Sequence, residues 1–268
     1  MRLTRVFIDG ALNAGSLVEL TRDTAAHLVK VLRARSGDEL VLFNGDGREY
    51  GGTIEAVRGS RVSAAIGAAR TLDRESRFRL TLVQCVPRGD RMDFIVQKAT
   101  ELGVARIVPV LSQRSVVRLD TEQAASKQAH WRAVAVSACE QCGRNRLPAV
   151  EAPQPLLSYL GGLEPPGLSG EFLRLVLEPE RASQASPAAQ PLDIVATAAT
   201  GAQIAIGPEG GFAPEELEAF DLSAFGRLGL GPRVLRTETA AIAAIAVLQA
   251  RFGDMSVDSH DSSRTADS

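Results

Sequence analysis

Residues 78–111 read FRLTLVQCVPRGDRMDFIVQKATELGVARIVPVL, and this stretch decides the fold class. Residues 78–86 are almost continuously apolar, the pattern of a strand covered on both faces. From Arg91 the repeat changes: Met92, Ile95, Ala99 and Leu102 recur at helical spacing, and the run stops at Gly103. Residues 107–111 are branched and apolar again. Strand, helix and strand in this order form a βαβ unit, which implies a largely parallel sheet flanked by helices.

The same grammar continues toward the C-terminus. A helix is expected over 127–142, strands over 173–177, 203–206 and 227–230, and a last helix over 238–252. The last helix is apolar nearly all round, so it should be buried on several sides or lie in an oligomer interface. Residues 148–170, rich in Pro and Gly, and 179–200, rich in Ala, Pro, Ser and Gln, read as loops or weakly ordered insertions. The tail from 254 to 268 is acidic, lacks core residues and is expected to be disordered. Toward the N-terminus the rhythm is different. Strands are expected over 3–8, 39–43, 50–57 and 61–66, with Asn44-Gly45-Asp46-Gly47 making a hairpin turn. A helix over 24–34 is expected to be capped by Thr24 or Asp23. A small, mostly β domain therefore precedes the α/β domain.

Composition narrows the function. At 268 residues, with 45% hydrophobic and 23% charged side chains, the chain has the make-up of one large or two modest globular domains. Nine Phe, two Tyr and one Trp are too few for a nucleic-acid surface built on stacking, and a net charge of −2 excludes a uniformly basic binder. Charge is nonetheless segregated: residues 74–147 carry 13 basic and 7 acidic side chains, and residues 148–252 carry 6 and 12. A positive face for a polyanionic partner follows, with uneven solvated surface as the alternative. The first residues lead directly into a strand pattern with no apolar leader, so a reducing cytoplasm is expected. Cys139 and Cys142 form a C-x-x-C with no second pair or nearby histidine, so no metal is expected. The apolar run 240–248 is less than half the ~20 residues that cross a bilayer, so no membrane partner is expected.

Ligands of parallel α/β sheets sit at the carboxyl ends of strands. Gly207, Gly210 and Gly211 follow such an end, and glycine permits close approach of a ligand to the main chain. The loop is neither G-x-G-x-x-G nor a Walker loop, which removes nicotinamide and triphosphate enzymes. Residues 228–239, LGLGPRVLRTET, place Arg233, Arg236 and Glu238 beside glycine turns just before an apolar helix, with Thr237 expected as its N-cap.

Taken together, QKATELG at 97–103, EQCGRN at 140–145, IGPEGG at 206–211 and LGPRVLRTET at 230–239 closely resemble the bacterial RsmE family, as do RVF at 5–7 and HLVKVLR at 27–33. That family comprises small-subunit ribosomal RNA (uracil-N3)-methyltransferases of the SPOUT superfamily. The resemblance implies a PUA-like β-barrel over 1–72 for RNA and an α/β methyltransferase domain with a deep trefoil knot over 73–253. It also implies a homodimer with S-adenosyl-L-methionine held in the knot. The expected cofactor residues are Leu177, Ile206, Gly207, Glu209, Gly210, Gly211, Leu230, Gly231, Leu235 and Thr237. Methylation requires loss of the uracil N3 proton, so Arg236 or Arg233 is expected to stabilise the anion and Glu238 or Glu209 to take the proton. Because N3 lies inside a base pair, the target must be unpaired or extruded. Arg5, Arg33, Arg88, Arg114, Arg144 and Asn145 are the expected contacts to small-subunit ribosomal RNA or the assembled 30S subunit. A non-catalytic RNA-binding assembly factor, in which the glycine loops are only turns, is the competing reading.

Overall fold

A computed structural model describes residues 3–59, 61–165, 172–178 and 199–255. The chain divides into two compact units, Met1–Glu75 with Val136–Leu147, and Ser76–Ala135 with Pro148–Ser268. The first unit therefore takes in a second segment, 136–147, that a single cut near residue 72 does not include.

The first unit is a five-stranded sheet in the order β1-β3-β4-β5-β2, from β1 (Thr4–Phe7), β2 (Leu17–Glu19), β3 (Glu39–Phe43), β4 (Arg48–Arg58) and β5 (Arg61–Thr71). β1 and β3 are parallel, and the other pairs are antiparallel. The 44–47 turn joins β3 to β4 as expected, with Gly45 and Gly47 at φ +91° and +93°. Alternate residues such as Leu40, Leu42, Ile54, Val62 and Ala64 fill its core. Helix α1 spans Arg22–Lys30, shorter and earlier than expected. Its cap is Thr21, whose hydroxyl accepts from the Thr24 amide, and not Thr24 or Asp23. It stops because Arg33 turns left-handed, at φ +53°, so that the Ala34 amide reaches the Leu28 carbonyl.

The second unit is a parallel sheet in the order β12-β10-β11-β6-β7-β8, with β9 also on β7. Its strands are β6 (Arg79–Cys85), β7 (Arg106–Leu111), β8 (Ala149–Val150), β9 (Gln154–Pro155), β10 (Phe172–Leu177), β11 (Gly201–Ile206) and β12 (Gly226–Leu228). Both faces are covered. Leu80, Leu82, Leu175 and Ile204 meet α2 (Arg91–Glu101) and the last helix on one side. Val83, Val176 and Ala205 meet Tyr159, Phe212, Phe220 and Phe225 on the other. This doubly buried environment explains the continuous apolar strands.

Three local readings are corrected. Helix α3 runs Thr121–Cys142, beginning before 127, because Asp120 and Gln123 cap each other reciprocally: each backbone amide donates to the other's side chain, at 3.1 and 2.8 Å. Residues 148–165 are not simply loop: β8, β9 and helix α4 (Leu156–Gly161) lie there, and Leu156, Tyr159 and Leu160 supply the buried face. A helix over Pro214–Leu222, α5, was not anticipated. Pro214 opens it, and Glu216, almost fully buried, accepts from the amides of Ala213 and Gln113. The last helix, α6, spans Thr237–Phe252 and buries one face, including Ala241, Ile245 and Leu248, against α2, β6 and β11. The expectation that it is buried on several sides is not met within one chain, since Val247 stays exposed and Ile242 partly so. The expectation of disorder in the tail falls on 256–268, and that for 179–200 falls largely on 179–198. Both lie outside the described residues.

Candidate active site

The carboxyl ends of β10, β11 and β12 open on one side of the second unit's sheet. Beyond the ends of β10 and β11, and closed by residues 234–237 and Ala240 at the start of the last helix, lies a cleft of about 470 Å³, within the size range of small-molecule sites. One wall is apolar, from Leu177, Ile206, Leu235 and Ala240, and the 207–211 loop forms its edge. Of the expected cofactor residues, Leu177, Ile206, Gly207, Glu209, Gly210, Gly211, Leu235 and Thr237 line this cleft. Leu230 instead packs against the hydrophobic core, and Gly231 shapes the 229–236 turn at φ +82°.

The glycines have distinct geometric reasons. A Cβ on Gly207 would come within 3.2 Å of the Phe212 ring, and Gly211 stands at φ +66°, where a side chain is strained. Glu209 is held by Arg91 at 2.5 Å across the surface. Arg114 donates to the Gly210 carbonyl at 3.0 Å and lines the cleft, so it braces the loop.

Thr237 is not the N-cap of α6. Arg236 holds that position, and Thr237 begins the helix almost fully buried. Its hydroxyl donates to the Gly207 carbonyl at 2.8 Å and accepts from Gln84 Nε2 at 3.0 Å. Gln84 also donates to the Cys85 carbonyl at 2.9 Å. This relay ties the ends of β6 and β11 to the start of α6 and fixes the floor of the cleft. Sequence reading missed Gln84, although a lone amide inside LTLVQCV was a signal. Glu178 opens the loop after β10, one of the three strand-end loops expected to hold the cofactor through main-chain groups; it lines the cleft although its side chain was not among the expected cofactor residues.

The residues expected to be catalytic separate. Arg236 is exposed and lines the cleft. Arg233 is exposed outside it. Glu238 is partly buried, does not line it, and keeps one carboxylate oxygen buried without a hydrogen-bond partner.

The residues expected at RNA also separate. Arg33, Arg88 and Arg114 are exposed. Arg5, Arg144 and Asn145 are buried in the first unit, which corrects their assignment as RNA contacts. Arg5 donates to Glu49 at 2.8 Å, to Asn145 Oδ1 at 2.6 Å and to the Arg144 carbonyl at 3.1 Å. Burial opposes the charge on Arg144, but Glu75, at 3.1 and 2.5 Å, outweighs it and holds the guanidinium above its ordinary pKa. Buried charges are retained because they are paired, and these side chains act as internal ties.

Cys139 and Cys142 are free, and contact with Cys142 together with burial pushes the Cys139 thiol up. Among the described residues no group of His, Cys, Asp and Glu is arranged to hold a metal, and no helix is long and apolar enough to cross a membrane.

A family profile described as an RNA methyltransferase domain matches residues 74–249, and one described as the PUA domain of RNA methyltransferases matches 20–66. The crystal structure of a ribosomal RNA small subunit methyltransferase E from Neisseria gonorrhoeae, bound to S-adenosyl methionine, is 35% identical with a TM-score of 0.82. It covers 94% of this chain and 99% of that one. A methyltransferase structure from Legionella pneumophila in complex with the same cofactor is 38% identical with a TM-score of 0.81, covering 95% and 100%. Ribosomal RNA small subunit methyltransferase E from Buchnera aphidicola subsp. Schizaphis graminum is 30% identical over 255 residues, or 95% of this chain and 99% of that protein. These matches run through both units and through all three strand-end loops, and the chain belongs to the RsmE family of ribosomal RNA small subunit methyltransferases.

Proposed function

We propose that this chain transfers a methyl group from S-adenosyl-L-methionine to N3 of a uridine in the 16S ribosomal RNA of the small subunit. The observation that carries the reading is the cleft beyond β10 and β11, in a chain similar along nearly its whole length to two solved methyltransferases with this cofactor bound. The residues fit such a donor. Leu177, Ile206, Leu235 and Ala240 offer apolar surface to the face of an adenine ring, glycines bring backbone to the ligand, and the carboxylates of Glu178 and Glu209 suit a cationic ligand. When bound, the cofactor supplies an electrophilic methyl group on a sulfonium.

The chain then has two tasks. It holds the acceptor in line with the donor, and such positioning can supply about 7–11 kcal/mol of a barrier. It also favours the uracil anion. Arg236, exposed at the cleft mouth, stabilises that charge. Arg233 and Glu238 flank it on the same segment as auxiliary groups, with Glu238 the proposed proton acceptor. Arg33, Arg88 and Arg114 are the proposed phosphate contacts.

The proposed domain limits are 1–72 for the PUA-like barrel and 73–253 for the methyltransferase domain. The trefoil knot is part of the proposal, supported by the order β12-β10-β11-β6 with α6 returning to pack on α2, β6 and β11. So is a homodimer, supported by exposed Val234 and Val247 beside the cleft and on the outer face of α6.

Titration calorimetry with S-adenosyl-L-methionine should give saturable binding to the folded protein, and no binding would favour an RNA-binding assembly factor. Mapping ribosomal RNA from cells that lack and then regain the chain should show one N3-methyluridine that disappears and returns. A methyl group at another atom or in another RNA would overturn the assignment.

A further inference from the structure

Arg227 lies on the three-residue edge strand β12, with its side chain 6% exposed. Its Nη2 pairs with Asp221 and donates to the Leu217 carbonyl at 3.2 Å, while its Nε stands 3.3 Å from Glu178 Oε2. Nη1 is buried with no hydrogen-bond partner among the described residues. The parallel register pairs Val176 with Arg227 and Leu177 with Leu228, and the Glu178 amide donates to the Leu228 carbonyl at 3.4 Å. Backbone and side chain of Glu178 are therefore both anchored to β12. The Glu178 side chain, 13% exposed, belongs to the cleft lining next to Leu177, while its Oε2, on the Arg227 side, is buried and accepts no hydrogen bond among the described residues.

A cation buried under an edge strand is costly, and an apolar residue would hold a strand equally well. The specific consequence of Arg227 is to fix the Glu178 side chain at the end of β10, beside the apolar wall of the cleft. The other carboxylate oxygen, Oε1, carries two lone pairs, and vicinal hydroxyls are a neutral ligand group that donates two hydrogen bonds side by side. Acidic residues after a strand serve this role for ribose in other nucleotide-binding sheets.

Building on the function proposed above, we infer that Glu178 accepts hydrogen bonds from the ribose hydroxyls of the methyl donor and that Arg227 is the positioning residue that aims it. Arg227 makes no contact with ligand. The pair sets affinity and selectivity for the adenosyl group, with little influence on the transferring methyl.

The test uses S-adenosylhomocysteine and its 2′-deoxy and 3′-deoxy analogues in calorimetry with the full chain. Wild type should bind the parent at least tenfold more tightly than a deoxy analogue. Glu178→Gln should weaken parent binding about tenfold and leave the deoxy analogues nearly unchanged. In turnover it should raise KM for the donor with kcat within about twofold. Arg227→Met should reproduce the loss of parent affinity, and adding it to Glu178→Gln should cost little more. Far-ultraviolet circular dichroism and thermal unfolding identify an Arg227 variant that fails to fold, and in that case the Glu178→Gln ratios decide alone. Equal loss for parent and deoxy ligands, or no loss for either, overturns the inference. No binding of the parent by wild type would instead sink the proposed function, so the two failures are distinguishable.

Discussion

Thr237→Val keeps the shape of a side chain that is 5% exposed and deletes its hydroxyl. Two hydrogen bonds vanish, the one to the Gly207 carbonyl at 2.8 Å and the one from Gln84 Nε2 at 3.0 Å. Each contributes about 1 kcal/mol net, and a polar group left without a partner adds about 1–3 kcal/mol. The penalty is partial at both ends. Gln84 Nε2 keeps the Cys85 carbonyl, and Gly207 is only partly buried, so water can reach its oxygen. A loss of about 2–3 kcal/mol follows. Thr237→Ser, which keeps the hydroxyl and loses one methyl group, should cost about 1 kcal/mol. Trp131 is the single tryptophan of the chain and is buried in the second unit's core, so its fluorescence in urea reports that unit directly. Adding Gln84→Leu to Thr237→Val should cost less than the sum of the two changes, by at least about 1 kcal/mol, because both ends of the broken bond are then apolar. It also removes Gln84 Oε1, a buried acceptor without a partner. Binding of S-adenosyl-L-methionine should weaken with Thr237→Val because the 207–211 loop loses its anchor. A Thr237→Val protein within about 0.5 kcal/mol of wild type, with unchanged binding, would refute the relay.

Other substitutions separate chemistry from folding. Arg236→Ala, at an exposed position, should reduce turnover by about 10²-fold or more while the urea midpoint stays within error; equal losses would make the residue structural. Gly207→Ala pushes a Cβ to 3.2 Å from the Phe212 ring, so calorimetry should show cofactor binding weakened about tenfold or more, and unchanged binding would exclude the loop from the site. Burial alone would raise the Glu49 carboxyl, but hydrogen bonds from Arg5 and Arg74 hold it below its ordinary range. A depressed folded pKa contributes stability above the unfolded value, and that contribution is lost as pH falls through the folded one. Glu49→Gln should therefore open the β4 amides to hydrogen exchange at neutral pH, by about 1–3 kcal/mol, and the gap to wild type should close on acidification through and below the usual carboxylate range. Affinity for ribosomal RNA should fall steeply with salt, and removing Arg88 or Arg114 should lower the log–log slope by about one each; a flat dependence would contradict phosphate contact.

Local structure was legible wherever neighbours in sequence set it. The 78–111 unit emerges as β6, α2 and β7 within a residue or so of its reading, because a covered strand and a one-sided helix each impose their own apolar period. The 44–47 turn and the 207–211 loop were legible from glycine. Helix ends were less so. The start of α3 was written in Asp120 and Gln123 but overlooked, and α4 was hidden by surrounding Pro and Gly. The arginines misled most. Composition makes Arg5 and Arg144 as plausible at phosphate as Arg33, and only their burial against Glu49 and Glu75 separates them.

Alternating and helical periods, glycine turns and family motifs were thus enough to specify a β-rich unit ahead of a parallel α/β unit and to mark the loops that bound the cleft. The tertiary structure decided the strand order, the relay through Gln84 and Thr237, and the pairing of Glu178 with Arg227. The physical reason is range. Backbone preference is settled within a few residues, whereas the fate of a charged or polar side chain depends on which partner the folded sheet brings within about 3 Å of it.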